Sequence, residues 1–318
     1  MQHHALWLLR LMRPAHQVAL VAIFCGVRYG IVRPWLETNF LQDPFPDYQF
    51  LILLLGGLLL SCGAVLINDY FDWQDDRIAR PESVIVGRHL SRRAVIVWHG
   101  VLTTLGVLVL CYLALEWSNL YLLFLFPFAA RVLWYYSKLY KQRLVFSVPL
   151  LFLFLFSAVL LPLLFEFLAI NRLLWQALAV NGLSVWEVLL PGLTYALLIA
   201  LLGLTRAFEK QICYYAQRTT FRTETLPDRI GLQPAKMVVL ALKVVLFLIV
   251  FTVGIYWQRS EAGQIPFFYL GLFVGLPLVG SAIVGMGGSD ASPRWARFLT
   301  TVAALFVILL PLFTAALR

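Results

Sequence analysis

Four carboxylates and an amide fall within nine residues, Asn68-Asp69-Tyr70-Phe71-Asp72-Trp73-Gln74-Asp75-Asp76, and Arg77 follows them. The segment closes an uncharged apolar run from Phe50 to Ile67. Ionised carboxylates at the edge of such a run are costly unless a cation meets them. If the run continues as a helix, Asn68, Asp72 and Asp76 stand at i, i+4 and i+8, on adjoining parts of one face. Three oxygen-bearing side chains on one face suit a hard divalent ion such as Mg²⁺ that bridges to a diphosphate. A helix C-terminus disfavours negative charge, so acids gathered there need a reason. Asp72 and Asp76 are the expected metal ligands and carry the chemistry. Asn68 adds an amide oxygen to the metal or positions a phosphate. Asp69 and Asp75 point elsewhere and are expected to cap the helix or to pair with Arg77 or Arg80. The plainer alternative is a solvated, acid-rich helix end.

Arg77, Arg80, Arg88, Arg92 and Arg93 come next. Guanidinium groups are permanently charged and bind phosphate oxygens in pairs. Any one of them can equally be a loop cation that fixes topology; as a cluster beside the acids they suit a diphosphate.

The elements that must position these groups are membrane helices. The chain has 318 residues, is 61% hydrophobic and only 13% charged, whereas a soluble domain is roughly 45–50% apolar and about 25% charged. Charge-free runs at Phe50–Ile67, Leu144–Phe165, Val188–Thr205, Gln264–Ser289 and Phe298–Leu317 are each long enough to cross a hydrocarbon core of about 30 Å. Pro14–Val27, Ala94–Leu115, Asn119–Ala130 and Val244–Trp257 are weaker candidates, giving nine spans in all. With the N-terminus inside, the inside segments hold 19 of the 25 Lys and Arg, while the outside segments hold Arg28, Arg33, Arg172, Arg259 and Arg318. That asymmetry predicts a cytoplasmic N-terminus and an outside C-terminus. It also explains the net charge of +9 without nucleic acid.

Two polar inside loops, Asn68–Arg93 and Arg206–Pro234, are where chemistry can sit. The outside segment Glu166–Glu187 reads as an interfacial amphipathic piece or a loop with a short helix. Cys25, Cys62, Cys111 and Cys213 have no paired spacing and read as small buried hydrophobes, without disulfide or zinc site. No small-residue cleavage site follows the first run, so no removable signal peptide is expected. Tyr214 and Tyr215 suit either a cavity wall or the membrane interface. Lys243 is a functional candidate within the seventh span or a side chain that snorkels to the surface. His99 reads as a hydrogen-bonded packing residue, and Gly285-Met286-Gly287-Gly288 as a turn.

The run Asn68-Asp69-Tyr70-Phe71-Asp72…Asp76-Arg77-Ile78…Arg80-Pro81…Gly87-Arg88…Ser91 resembles the first aspartate-rich motif of the UbiA superfamily of intramembrane prenyltransferases, NDxxDxxxD followed by Arg-Pro and a glycine turn. Leu11-Met12-Arg13-Pro14, Tyr136-Ser137-Lys138 and Thr225-Leu226-Pro227-Asp228-Arg229-Ile230-Gly231 resemble further family segments, so the likeness covers most of residues 1–318 as a single domain. It implies an all-α bundle of about nine transmembrane helices around a lateral cavity. Two acidic loops would hold Mg²⁺ and the diphosphate of an isoprenoid donor. The metal and basic side chains would stabilise the leaving diphosphate while a lipophilic acceptor attacks the allylic carbon.

The second motif departs from the family pattern. Counted back from Thr225, its carboxylates should fall near Gln211, Tyr214 or Tyr215, and Arg218, yet the sequence holds no aspartate between Asp76 and Asp228. In the first loop, Ser83 stands where the family often has arginine, and Val84 and Val86 replace prolines around Ile85. Either Arg206, Lys210 and Arg218 meet the diphosphate directly, with Glu209 as a displaced ligand on another face, or the loop no longer supports ionisation. The expected diphosphate contacts are therefore Asn68, Arg80, Lys210 and Arg218.

The reading is a multi-pass protein of the plasma or inner membrane. It transfers an isoprenoid group from its diphosphate to a lipophilic acceptor with Mg²⁺. The alternatives are a non-catalytic, binding or transport protein of the same fold, or an isoprenoid diphosphate cyclase or lyase.

Overall fold

The structure is a computed structural model that describes residues 2–79, 82, 84–215, 224–258, 264–287 and 292–317. Nine helices among them are long and apolar enough to cross a membrane: Pro14–Thr38, Asp47–Gln74, Arg92–Glu116, Leu120–Lys138, Leu144–Ala179, Trp186–Tyr214, Leu232–Tyr256, Ile265–Gly285 and Ser292–Ala316. These are the first to ninth spans below. The number agrees with the hydropathy reading; several bounds do not. The first, fourth and seventh spans run well past their charge-free stretches, so Arg28, Arg33, Arg131, Lys138 and Lys243 lie within helices. Each charge needs a partner or a route to the surface, and hydropathy cannot see either.

The chain forms two compact units. Among the described residues the first comprises the stretch up to Val21 and Phe45–Ser147, and holds the second, third and fourth spans. The second span belongs to a helix that continues without a break to Ala79, carrying the acidic segment on its last turns. The second and third spans pack closely: a Cβ on Gly106 would come within 3.0 Å of Leu60, so this glycine lets the backbones approach. The opposite stripe of the third span, Val101, Leu105, Leu108 and Tyr112, is exposed and faces lipid. The third span begins at Ser91, whose hydroxyl accepts from the Ala94 N–H at 3.1 Å. That cap fixes where the loop after the acids ends.

A helix at Gln2–Leu11 precedes the first span. Its Trp7, Leu8 and Leu11 pack with Leu66, Val86, Leu90 and Val95, and Trp7 stacks on His89 at 3.7 Å between ring centroids. The chain turns at Arg13, which has φ 54°, before Pro14 opens the span. His99 is buried, with Nδ1 2.9 Å from the Gly63 carbonyl oxygen and its ring against Trp134. It is a packing residue of three helices, as the sequence suggested.

The second unit comprises Ala22–Pro44, Val148–Arg218 and Glu224–Arg318. The first span widens into a π-helix at Gly26–Val32. This bulge lies hard against the ninth span: a Cβ on Gly30 would sit 2.5 Å from the carbonyl carbon of Pro311. The bulge turns Arg28 inward. Its guanidinium is fully buried and donates to Glu166 at 2.7 Å and to Asp43 at 2.9 Å, while Arg33 donates to Asp43 at 2.8 Å. Arg28 and Arg33 are therefore span residues and not loop cations, because two carboxylates, Glu166 and Asp43, make the placement of these charges within the helix tolerable. The fifth span belongs to one helix from Leu144 to Asn181. The segment Glu166–Glu187, read from sequence as an interfacial amphipathic piece or a loop with a short helix, is the continuation of that helix as far as Asn181, and Glu166 is the inner half of the Arg28 pair. The four cysteines are free and half-buried, not fully buried.

Candidate active site

The acidic face lies entirely within the first unit. Asn68 and Asp72 meet as the helical spacing predicts: the Asn68 amide donates to Asp72 Oδ2 at 3.0 Å. Between the two sits a cation supplied by the chain. Lys141 Nζ donates to Asn68 Oδ1 at 2.8 Å and forms an ion pair with Asp72 Oδ2. Lys141 belongs to a short 3-10 turn, Tyr140–Gln142, that follows the fourth span, and that span packs beside the second. The side chains of Asp72 and Lys141 keep 21% and 27% of their surface accessible, so the pair is open to a ligand. Asp76, one turn further on, is half-buried.

Asp69 stays in contact with this face, accepting from the Asn68 amide at 3.3 Å, and its ion-pair partner is Arg13, at 2.5 Å. The sequence offered Arg77 or Arg80. The left-handed turn at Arg13 brings a guanidinium from a segment 56 residues away, which no local spacing could foretell. Arg92 lies over the rings of Tyr70 and Trp73 at 4.6 and 4.8 Å, a cation–π site on the far side of the helix. Arg80 and Arg218 lie outside the described residues, as does the side chain of Asp75. Lys210 is exposed at the end of the sixth span. Lys141 is the residue sequence reasoning missed: it was counted among loop cations, and the signal was its place in the basic run Lys138, Lys141, Arg143 straight after Tyr136-Ser137.

The donor set suits Mg²⁺. It consists of hard oxygens and already draws an ammonium group between an amide and a carboxylate oxygen. Among the described residues no group of three His, Cys, Asp or Glu side chains forms a closed cage. Mg²⁺ does not need one: it binds through one or two carboxylates and fills its octahedron with water and phosphate oxygens.

In the second unit, the residues where a second acidic motif would stand are otherwise employed. Gln211 Oε1 accepts the Leu226 N–H at 3.0 Å. Asp228 closes a capping box on Thr225, accepting from its N–H at 2.9 Å and its hydroxyl at 2.5 Å. Glu209 is buried and paired with Lys243 at 2.8 Å. Lys243 also donates to the Ser281 carbonyl at 3.0 Å. The hydroxyls of Thr300 and Ser281 lie 2.8 and 3.2 Å from the same Glu209 oxygen. Lys243 does not snorkel to the surface; it is buried and fixed to Glu209. Glu209 in turn is not a displaced ligand in the loop.

The profile of the UbiA prenyltransferase family matches residues 40–307. The chain belongs to the UbiA prenyltransferase family. No curated protein matches its sequence. Among solved structures it is similar to one described as digeranylgeranylglyceryl phosphate synthase in membranes, with a TM-score of 0.65 at 15% identity over 99% of both chains. It is also similar to a UbiA homologue from Archaeoglobus fulgidus bound to GPP and Mg²⁺, with a TM-score of 0.60 at 16% identity over 98% of this chain and 99% of that one. At these identities the likeness is one of fold: an all-helical, multi-pass UbiA bundle.

Proposed function

We propose that this UbiA member transfers an isoprenoid group from its diphosphate to a lipophilic acceptor, with Mg²⁺ at Asn68, Asp72 and Asp76. The observation that carries the reading is the seat between Asn68 and Asp72, which is built to hold a cation and holds the Lys141 ammonium. Mg²⁺ there supplies Lewis-acid stabilisation of the departing diphosphate. The solved relative bound to GPP and Mg²⁺ supports both partners.

The chain's own groups do the rest. Asn68 donates one amide hydrogen bond to Asp72 and another to Asp69, and so holds both carboxylates in place. Arg13 neutralises Asp69, which keeps a third negative charge from repelling the diphosphate. Lys141, reaching Asp72 from another element, can hand its ammonium hydrogens to diphosphate oxygens as they arrive, and charge that develops on the leaving group is met by donors already in place. Arg80, Lys210 and Arg218 are further cations for that role. In this reading residues 1–318 act as one prenyltransferase domain, and the loop charges support a cytoplasmic side for Asn68–Arg93 in a plasma or inner membrane.

Transfer of radiolabel from farnesyl and geranylgeranyl diphosphate into lipid-extract acceptors, by detergent-purified protein with Mg²⁺, tests this. Label should pass to a lipophilic product with wild-type protein and not with Asp72→Ala. Label released only as free alcohol or a cyclised hydrocarbon would replace transfer by a lyase or cyclase.

A further inference from the structure

Resting on the reading above, we infer that the second half of this chain binds no metal ion and meets a diphosphate-class anion with cationic side chains alone, so that the protein works with a single Mg²⁺ at the first motif.

The sequence holds no Asp or Glu from Lys210 to Thr223, so the loop after the sixth span cannot chelate a hard cation. The acids that flank it are committed. Glu209 Oε1 is bound by Lys243 and by the Ser281 and Thr300 hydroxyls, one group from each of the last three spans. Its other oxygen is buried without a hydrogen-bond partner among the described residues. The cavity beside it, about 20 Å³, is lined also by Lys236 and Lys243. That volume admits a water; Glu209 is already met by the Lys243 ammonium, and Lys236 adds a further positive charge, so no net negative charge is left there for a divalent ion. Glu224 pairs with Arg229 at 3.7 Å. Asp228 is held by the Thr225 backbone and hydroxyl. Asp290 lies outside the described residues; a lone carboxylate does not make a metal site.

The same region is rich in positive charge: Arg206, Lys210, Arg218, Arg222, Lys236, Arg294 and Arg297. Arg206 is the informative one. Its Nε–H is buried with no acceptor among the described residues, and both Arg297 and the Glu209 carboxylate act on it electrostatically. A buried guanidinium N–H without an acceptor is the complement of a phosphate oxygen. Where an acidic loop would need a metal to bridge it to phosphate, a basic loop binds phosphate directly.

The test counts metal and anion separately on the full-length protein in detergent, with inorganic pyrophosphate as probe and Mn²⁺ replacing Mg²⁺ for electron paramagnetic resonance. With pyrophosphate present, wild-type protein should bind about one Mn²⁺ per chain, as one open site of carboxylate, amide and phosphate oxygens allows. Asp72→Asn with Asp76→Asn should bind none, and Glu224→Gln, Asp228→Asn and Asp290→Asn should each still bind one. Two Mn²⁺ in the wild type, one of them lost in any of these three variants, would overturn the inference. No Mn²⁺ in the wild type would sink the first-motif reading while leaving the second half metal-free as stated. In EDTA, the Asp72→Asn, Asp76→Asn protein should retain pyrophosphate binding. Adding Arg206→Gln should weaken it about tenfold, the scale of one charge-assisted bond, and Arg206→Lys should keep most of it. Absence of metal-free binding, or equal loss with Lys and Gln at position 206, would contradict the cationic site.

Discussion

Each half of the molecule contains a carboxylate–lysine pair, and the two pairs do opposite things. Asp72–Lys141 keeps about a quarter of its surface open, and its acid shares a helix face with Asn68 and Asp76. Glu209–Lys243 is only 4% exposed on either side and is ringed by hydroxyls from two further spans. An open pair exchanges its cation for a ligand at little desolvation cost. A sealed pair would have to leave a buried charge behind, which is why it acts as a strut between helices. The same residue types thus make a site or a strut according to burial. A third pair, Arg229–Glu224, is more exposed than either at 46% and 38%, and completes the series.

The comparison can be broken at its sealed end first. Lys243→Ala leaves Glu209 charged and unpaired, and should destabilise the detergent-solubilised protein by about 3–5 kcal/mol, read as a large fall in thermal midpoint. At the open end, Asp72→Asn should lower kcat/KM for prenyl transfer about 10²–10³-fold with the thermal midpoint within a degree or two of wild type; a loss of stability comparable to that of Lys243→Ala would erase the distinction. Replacing the sealed pair together, Glu209→Leu with Lys243→Met, sharpens it. An apolar substitute of similar volume should recover most of the stability, to within about 1–2 kcal/mol of wild type, and leave pyrophosphate-dependent Mn²⁺ binding unchanged. At the exposed end of the series, Glu224→Gln should cost no more than about 0.5 kcal/mol by the same thermal measurement.

Much of this was legible in the sequence because it is local. Apolar runs give the spans, and i, i+4 spacing gives the Asn68–Asp72 contact. The lack of acids after Lys210 is plain on reading. What was not legible depends on partners distant in the chain. Lys141 lies 69 residues from Asp72, Arg13 56 from Asp69 and Arg28 138 from Glu166, and a charge read without its partner looks like a loop residue. Span ends were misplaced for the same reason. Arg28 ends a hydropathy run, yet the π-bulge at Gly26–Val32 turns it into the protein. Lys243 reads from sequence as either a functional group or a snorkelling side chain, and its partner Glu209 lies 34 residues away in the chain, across a helix interface.

The central claim is that a donor diphosphate is held at the first acidic motif through a metal ion. Binding of geranylgeranyl and farnesyl diphosphate to purified protein, with and without Mg²⁺ and with Asp72→Ala as the control, tests it most directly. Mg²⁺-dependent binding that the substitution abolishes is the predicted result. Donor binding that ignores both Mg²⁺ and the loss of Asp72, in a protein whose thermal midpoint is intact, would contradict it, and would leave the acidic face as inherited structure in a non-catalytic member of the family.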